Sequence, residues 1–135
     1  MKAILYCRVS TDDQVNGYSL DLQEETLRTH CERNNIEVIS VYREDFSGNN
    51  FDRPELNKLR KHIKERKREV NQLLIVKWDR FGRNLMEALQ MIHDLQELGV
   101  QPISIEQPLD MSIPESKLML AVYLAVPEID KLRSN

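Results

Sequence analysis

Apolar residues in this chain recur at two different spacings, and the changes of spacing mark out its elements. Residues 3–9 (Ala-Ile-Leu-Tyr-Cys-Arg-Val) form a nearly unbroken apolar run, which predicts a buried strand. Residues 11–18 are polar and include Gly17, the pattern of a loop. Ser19 suits a helix N-cap, and the helix it opens carries Leu20, Leu27 and Cys31 inward until Asn34-Asn35 ends it. Residues 36–42 (Ile-Glu-Val-Ile-Ser-Val-Tyr) predict a second strand, and residues 44–53 a turn-rich loop around Ser47-Gly48-Asn49-Asn50. Pro54 fits the first position of a helix whose narrow apolar stripe is Leu56, Leu59, Ile63 and Val70. Residues 73–76 (Leu-Leu-Ile-Val) are the most hydrophobic run and predict a central strand. Asn84, with Glu87 three residues later, marks a capped helix start. Leu85, Ala88, Leu89, Ile92 and Leu95 then follow at helical spacing to a stop at Gly99. Residues 100–105 predict a fourth strand, with Pro102 favouring an edge position. A last helix is expected from Ser112, with Glu115 at capping-box spacing.

Strands that alternate with helices imply an α/β domain with a parallel or mostly parallel sheet and helices on both faces. The 135 residues suffice for one domain, 1–135, and show no internal repeat or linker. In such sheets ligands bind beyond the carboxyl ends of the strands. That rule directs attention to three loops, after Val9, after Tyr42 and after Trp78.

Composition narrows the setting. Hydrophobic residues at 41% and charged residues at 30% suit a folded domain. No apolar run approaches the roughly 18 residues of a membrane span, and Arg8 interrupts the first run too early for a signal peptide. Cys7 and Cys31 make no disulfide framework, and with His30, His62 and His93 scattered they make no four-ligand zinc site. The expectation is a reduced, soluble, cytoplasmic domain without a metal or cofactor. With 19 Lys and Arg against 22 Asp and Glu, the net charge of −3 alone argues against nucleic acid. The distribution changes that picture. Residues 52–83 hold 11 basic and 5 acidic side chains, a local +6, and the remainder holds 8 and 17, a net −9. The basic run through Lys58, Arg60, Lys61, Lys64, Arg66, Lys67 and Arg68 can hold a polyanion, or be an ordinary solvated helix face.

The three loops carry Arg8 and Ser10, then Asp45, Ser47 and Arg53, then Asp79, Arg80 and Arg83. Serine hydroxyls among four arginines do not suit acyl transfer, which needs a histidine base, and all three histidines fall in predicted helices. Guanidinium forks match phosphate oxygens two at a time and stay charged. They can also stabilise the added charge of a pentacovalent phosphorane. A cysteine-phosphatase loop fails on spacing, since five residues beyond Cys7 the next position is Asp13 and not arginine. A Walker loop fails because residues 10–18 lack the Gly-rich turn and its Lys. Cys7 therefore reads as a core residue.

In this order and spacing, four segments resemble the catalytic domain of the serine site-specific recombinases, the resolvase/invertase family. They are Tyr6-Cys7-Arg8-Val9-Ser10-Thr11, Ser19-Leu20-Asp21-Leu22-Gln23, Ser47-Gly48 with Asp52-Arg53-Pro54, and Asp79-Arg80-Phe81-Gly82-Arg83. The longer first loop, 11–18, is most similar to the large serine recombinases. The resemblance spans essentially the whole chain and implies a three-layer α/β/α domain with a mostly parallel sheet and a C-terminal oligomerisation helix over 113–133. It implies that Ser10 attacks a DNA backbone phosphate, forming a 5′-phosphoserine link and freeing the 3′ hydroxyl. Arg8, Arg53, Arg80 and Arg83 would hold the phosphate, Asp79 would orient an arginine or manage a proton, and Gln23, Asp45 and Ser47 would position the rest. The general acid and base stay open, with Arg83 or water as candidates for the acid. Lys58, Lys61 and Lys77 would touch DNA. The partners implied are double-stranded DNA and further copies of the chain, a dimer becoming a tetramer in the synaptic complex.

Residues 118–126 (Leu-Met-Leu-Ala-Val-Tyr-Leu-Ala-Val) are apolar almost all round. Such a helix is expected to pack on a second subunit or deep within one domain. Pro127 should kink or stop it. Asp130-Lys131 stands where the family often has Glu-Arg, and Asp130 receives no catalytic role. The resemblance further suggests a catalytic part of a longer protein whose DNA-binding region lies C-terminal. Two other readings stay open on the residues alone. One is a Rossmann-like nucleotide- or phosphometabolite-binding domain with Arg8 and Arg80 as anion clamps. The other is an oligomerisation module whose arginines only form ion pairs.

Overall fold

A computed structural model describes residues 1–9, 19–45, 53–66, 69–81 and 84–133, with 126–133 as backbone path alone. Strand β1 (Lys2–Val9) is followed by helix α1 (Leu20–Arg33), β2 (Glu37–Asp45), α2 (Pro54–Glu65) and β3 (Gln72–Ile75). A 3-10 turn (Trp78–Arg80), α3 (Leu85–Glu97), β4 (Gln101–Ser104) and α4 (Glu115–Arg133) complete the order. The strands form one sheet in the order β2-β1-β3-β4, and every pairing is parallel. The α/β class, the edge position of the Pro102 strand and the inner position of the Leu-Leu-Ile run are as expected.

The sheet is covered on both faces. Ala3, Leu5 and Cys7 of β1 pack with Leu74, Val76 and the α1 residues Leu27 and Cys31. Ile4 and Tyr6 point the other way, into a larger core with Leu73, Ile75, Leu59, Ile63, Ile92, Leu95, Leu120 and Leu124. So α1 covers one face, and α2, α3 and α4 cover the other. This explains the unbroken apolar run of β1, since a strand buried on both sides has no polar alternation.

In β2 the alternation is broken once. Ala3 is paired with Val38 but Ile4 with Ser40, so Ile39 is an extra residue in β2. A bulge of this kind changes which side chains share a face. Val38 and Val41, three apart, both join the α1 face, while Tyr42 joins the other core. Beyond the bulge, Tyr6 stands opposite Tyr42 and Arg8 opposite Glu44.

Local signals end the helices. Ser19 Oγ accepts from Leu22 N at 3.1 Å and Asn84 Oδ1 from Glu87 N at 2.9 Å, so both expected caps form. Asn35 (φ 55°) and Gly99 (φ 77°) turn the chain left-handed after α1 and α3. Three expectations need correction. Helix α2 stops at Glu65, so Val70 is a buried residue of the connection before β3 and not part of the helical stripe. Ser112 does not open the last helix, because its N–H and hydroxyl both bond Asp110 Oδ1 in a turn, and α4 starts at Glu115. Nor does Pro127 stop α4, which runs on to Arg133. A proline lacks one donor, but twelve preceding helical residues keep the remaining ladder in place.

Cys7 is fully buried, and burial with the nearby Glu24 charge pushes its thiol up to about 12. A raised native pKa means the unfolded thiol ionises first, so stability falls as the pH rises from about 9 towards 12. Cys7→Ala should flatten that decline in urea titrations run across the same pH range. In the unsubstituted chain at pH 8, a thiol reagent should leave Cys7 unmodified until the protein is unfolded.

Candidate active site

The site is built at the carboxyl edge of β1, beside the 3-10 turn that follows β3. Arg8 is the penultimate residue of β1 and is 4% exposed. Its guanidinium Nη2 donates to the Asp79 carbonyl at 2.6 Å. Its own carbonyl accepts from Arg80 Nη1 at 2.7 Å and from Gln23 Nε2 at 2.9 Å. Its backbone N–H donates to Gln23 Oε1 at 3.2 Å. Gln23 thus satisfies both backbone groups of Arg8, which explains a fully buried glutamine in the first turns of α1. Arg80, 3% exposed, lies 3.1 Å from Asp79 Oδ1 through Nε. Arg53, just before α2, donates through Nη1 to the Phe81 carbonyl and lies 3.7 Å from Glu87.

Arg8 and Arg53 therefore grip one turn through its carbonyls, and Arg80 of that turn reaches back to the Arg8 carbonyl on β1. Like charge accumulates here, and Arg8 reports it. Burial first, and then the neighbouring Arg53 guanidinium, lower its pKa below the ordinary arginine value. Carbonyl dipoles hold the Arg8 and Arg53 guanidiniums, and the carboxylates of Asp79 and Glu87 lie 3.1 Å from Arg80 and 3.7 Å from Arg53.

A further carboxylate braces this edge. Glu44 is 2% exposed. Its Oε1 accepts from the Tyr6 hydroxyl at 2.9 Å and its Oε2 from Glu55 N at 2.8 Å. Arg53 makes no side-chain cap to α2, so Glu44 supplies that acceptor from the neighbouring strand. Burial, followed by the Glu44 charge, pushes the Tyr6 phenol well above its usual range, so Tyr6 stays a donor.

Of the residues singled out from sequence, Arg8, Gln23, Asp79 and Arg80 are joined directly, and Arg53 joins them through Phe81. Asp45 ends β2 opposite Val9 and is exposed. Ser10, Ser47 and Arg83 lie outside the described residues. Lys58 and Lys61 lie on the exposed face of α2, 3.1 Å from Glu55 and 3.9 Å from Glu65, and Lys77 is 4.0 Å from Glu106. His62 bonds Tyr42 at 2.7 Å, and His93 faces Glu97 within α3. Sequence reading missed Glu44 and Gln107. Glu44 is one step from Asp45 in an acidic pair, and only the bulge in β2 decides which of the two turns inward.

Tyr6→Phe should cost about 1–3 kcal/mol in urea denaturation, because it leaves a buried carboxylate oxygen without its donor. Tyr6→Phe combined with Glu44→Gln should cost less than the two changes added together, since the pair is in direct contact.

Comparison with known proteins bears on this geometry. Residues 3–133 match the family model "Resolvase, N terminal domain". The chain is 34% identical over 130 residues to a probable DNA-invertase of Sinorhizobium fredii, covering 96% of this chain and 38% of that protein. It is 28% identical over 127 residues to a serine recombinase of Escherichia phage Mu, covering 93% of this chain and 58% of that one. The chain therefore spans less than two thirds of the length of both relatives. Among solved structures, a resolvase family site-specific recombinase from Streptococcus pneumoniae superposes with a TM-score of 0.73 at 32% identity, over 98% of this chain and 89% of that one. The N-terminal catalytic domain of TP901-1 integrase gives 0.72 at 26% identity, over 100% of both. A family model that takes in nearly the whole chain, and a fold shared along its length, lead to one conclusion: the chain belongs to the resolvase N-terminal domain family, the catalytic-domain family of the serine recombinases.

Proposed function

We propose that this chain is the catalytic domain of a site-specific DNA recombinase in which Ser10 is the nucleophile. The observation that carries the reading is the convergence of Arg8 and Arg53 on the turn that bears Arg80, at the carboxyl edge of β1, whose last residue, Val9, directly precedes Ser10 in the chain. Family membership supplies the reaction class. The Ser10 oxygen bonds to a backbone phosphorus, the bond from phosphorus to the 3′ oxygen breaks, and the serine proton is released as the 3′ oxygen gains one. The ester is exchanged for another ester, so the reverse attack by a 3′ hydroxyl rejoins a strand without external energy.

The arginines bind phosphate oxygens and stabilise the charge of the pentacovalent state, where donors aimed at developing charge have most effect. Asp79 sets the orientation of Arg80, and Gln23 fixes the end of β1. Arg83, Ser47 and Asp45 complete the set as further phosphate-binding and positioning groups, and Lys58, Lys61 and Lys77 extend the contact along DNA. The rival reading, a clamp for a small phosphorylated metabolite, needs no hydroxyl at position 10.

Oligomerisation enters through α4. Leu120 and Leu124 are buried in the core, whereas Leu118, Met119 and Val122 on the same helix are 70%, 41% and 47% exposed. An apolar patch on a helix that already has one packed side suits a second copy. The assembly is a dimer that pairs into a tetramer when two DNA sites meet, and it acts in the cytoplasm. No helix among the described residues is long and apolar enough to cross a membrane.

When the intact protein is incubated with genomic DNA of its source, denatured and digested with nuclease, the peptide containing Ser10 should carry a nucleotide by mass spectrometry. Ser10→Ala should abolish that adduct while DNA retention on a filter persists; an adduct in this variant would refute the assignment. Arg80→Lys keeps the charge but loses the fork. Adduct formation should then fall about 10²-fold in a time course, the scale of losing one transition-state donor.

A further inference from the structure

The turn that carries Asp79 and Arg80 is also held by the segment that follows β4. Past the end of the sheet, the ladder between β3 and β4 continues for two rungs, Ile105 N to the Ile75 carbonyl at 2.9 Å and Glu106 N to the Val76 carbonyl at 3.1 Å. There the chain turns into its 3-10 segment, and Lys77 at the N-cap makes no side-chain cap bond. The first N–H groups of any helix lack partners within it. Gln107 supplies one. Its Oε1 accepts from Trp78 N at 3.0 Å, and its backbone carbonyl accepts from Trp78 Nε1 at 2.8 Å. Gln107 is fixed in turn by Ser104, whose hydroxyl accepts from Gln107 N at 3.2 Å and donates to the Val76 carbonyl at 2.8 Å.

These bonds tie both ends of one residue. Trp78 is fully buried, packs edge-on against Phe81 with ring centroids 5.9 Å apart, and starts the turn whose carbonyls at Asp79 and Phe81 receive Arg8 and Arg53. A rotation at Trp78 would move both carbonyls and Arg80 together. The geometry points to Gln107, seated by Ser104, as a positioning residue for the phosphate-binding arginines: it locks the Trp78–Arg80 turn in the register that lets Arg8, Arg53 and Arg80 meet. The bonds of Gln107 go to Trp78 and Ser104. It acts through the turn, so it affects the rate of reaction of bound DNA and not the binding of DNA. The inference rests on the reaction proposed above.

The test uses Gln107→Met, which keeps length but loses the side-chain acceptor, and Gln107→Glu, which keeps it. Trp78 is the only tryptophan of the chain, so intrinsic fluorescence reports this bond directly. Gln107→Met should shift the emission maximum and increase acrylamide quenching, and Gln107→Glu should do neither. In the Ser10 adduct assay with source genomic DNA, Gln107→Met should lower the rate at saturating DNA about tenfold, the effect of losing one net hydrogen bond in the reactive geometry. The DNA concentration for half-saturation should not change, and Gln107→Glu should recover most of the rate. If Gln107→Met does not fold, Ser104→Ala releases the same latch and should give the same split between rate and half-saturation. Unchanged fluorescence in Gln107→Met overturns the latch. A shifted spectrum with an unchanged adduct rate, or equal loss in Met and Glu variants, overturns the positioning role alone. Absence of a Ser10 adduct in the unsubstituted protein overturns the reaction itself, and Gln107's part in it.

Discussion

A guanidinium buried among like charges has to be held by something other than carboxylates alone, and in this domain the holder is backbone carbonyl. Arg8 donates to Asp79, Arg53 to Phe81 and Arg80 to Arg8. Each bond joins segments far apart in sequence, so the arrangement exists only in the folded chain. Its strength comes from the charge on the donor and the exclusion of water, which make such bonds stronger than neutral ones.

Everything around the cluster serves that geometry. Gln23 satisfies the backbone of Arg8 from α1, and Glu44 holds the start of α2 from β2. On the surface, Arg43 bonds Asp21 at 2.6 Å and Glu24 at 3.2 Å, joining the end of β2 to the first turns of the helix that carries Gln23. These last contacts are exposed and individually weak. Their value is orientation: they act on the helix turn from which Gln23 enters the core. The bulge at Ile39 makes both arrangements possible at once, because it puts Arg43 on the α1 face and Glu44 on the face of Tyr6.

Two charge scales operate in the molecule. The whole chain is weakly acidic, with a net −3, whereas residues 52–83 carry a local +6 and Arg8 and Arg80 at the strand edge are buried. Screening suppresses the distant negative charges in salt but acts less on buried groups. A polyanion approaching this edge therefore meets the local field first. The basic face of α2 contributes less than its count of lysines suggests, since Lys58 and Lys61 each have an acidic neighbour one helical turn away.

Much of the architecture was readable from pattern alone. Unbroken apolar runs identified β1 and β3, helical spacing identified α1 and α3, and Ser19, Asn84, Asn35 and Gly99 bounded helices as their chemistry requires. These are local preferences, set by a few neighbouring residues. The arginines, Gln23 and Asp79 were legible as candidates because they stand at predicted strand ends or within segments resembling a known family. What pattern could not supply was anything that depends on pairing between distant segments. A strand's alternation does not reveal where a bulge will shift it, so nothing in the pattern marks Glu44 as the acid that turns inward. A proline's local penalty does not determine whether a helix ends, so α4 runs past Pro127. Gln107 looks like an ordinary polar loop residue until the fold lays it against Trp78. The elements and the chemical inventory are legible along the chain, because they follow from short-range sterics and side-chain type. Which carbonyl each arginine meets emerges in the folded chain, because hydrogen-bond partners for buried groups are set by register and packing across the whole sheet.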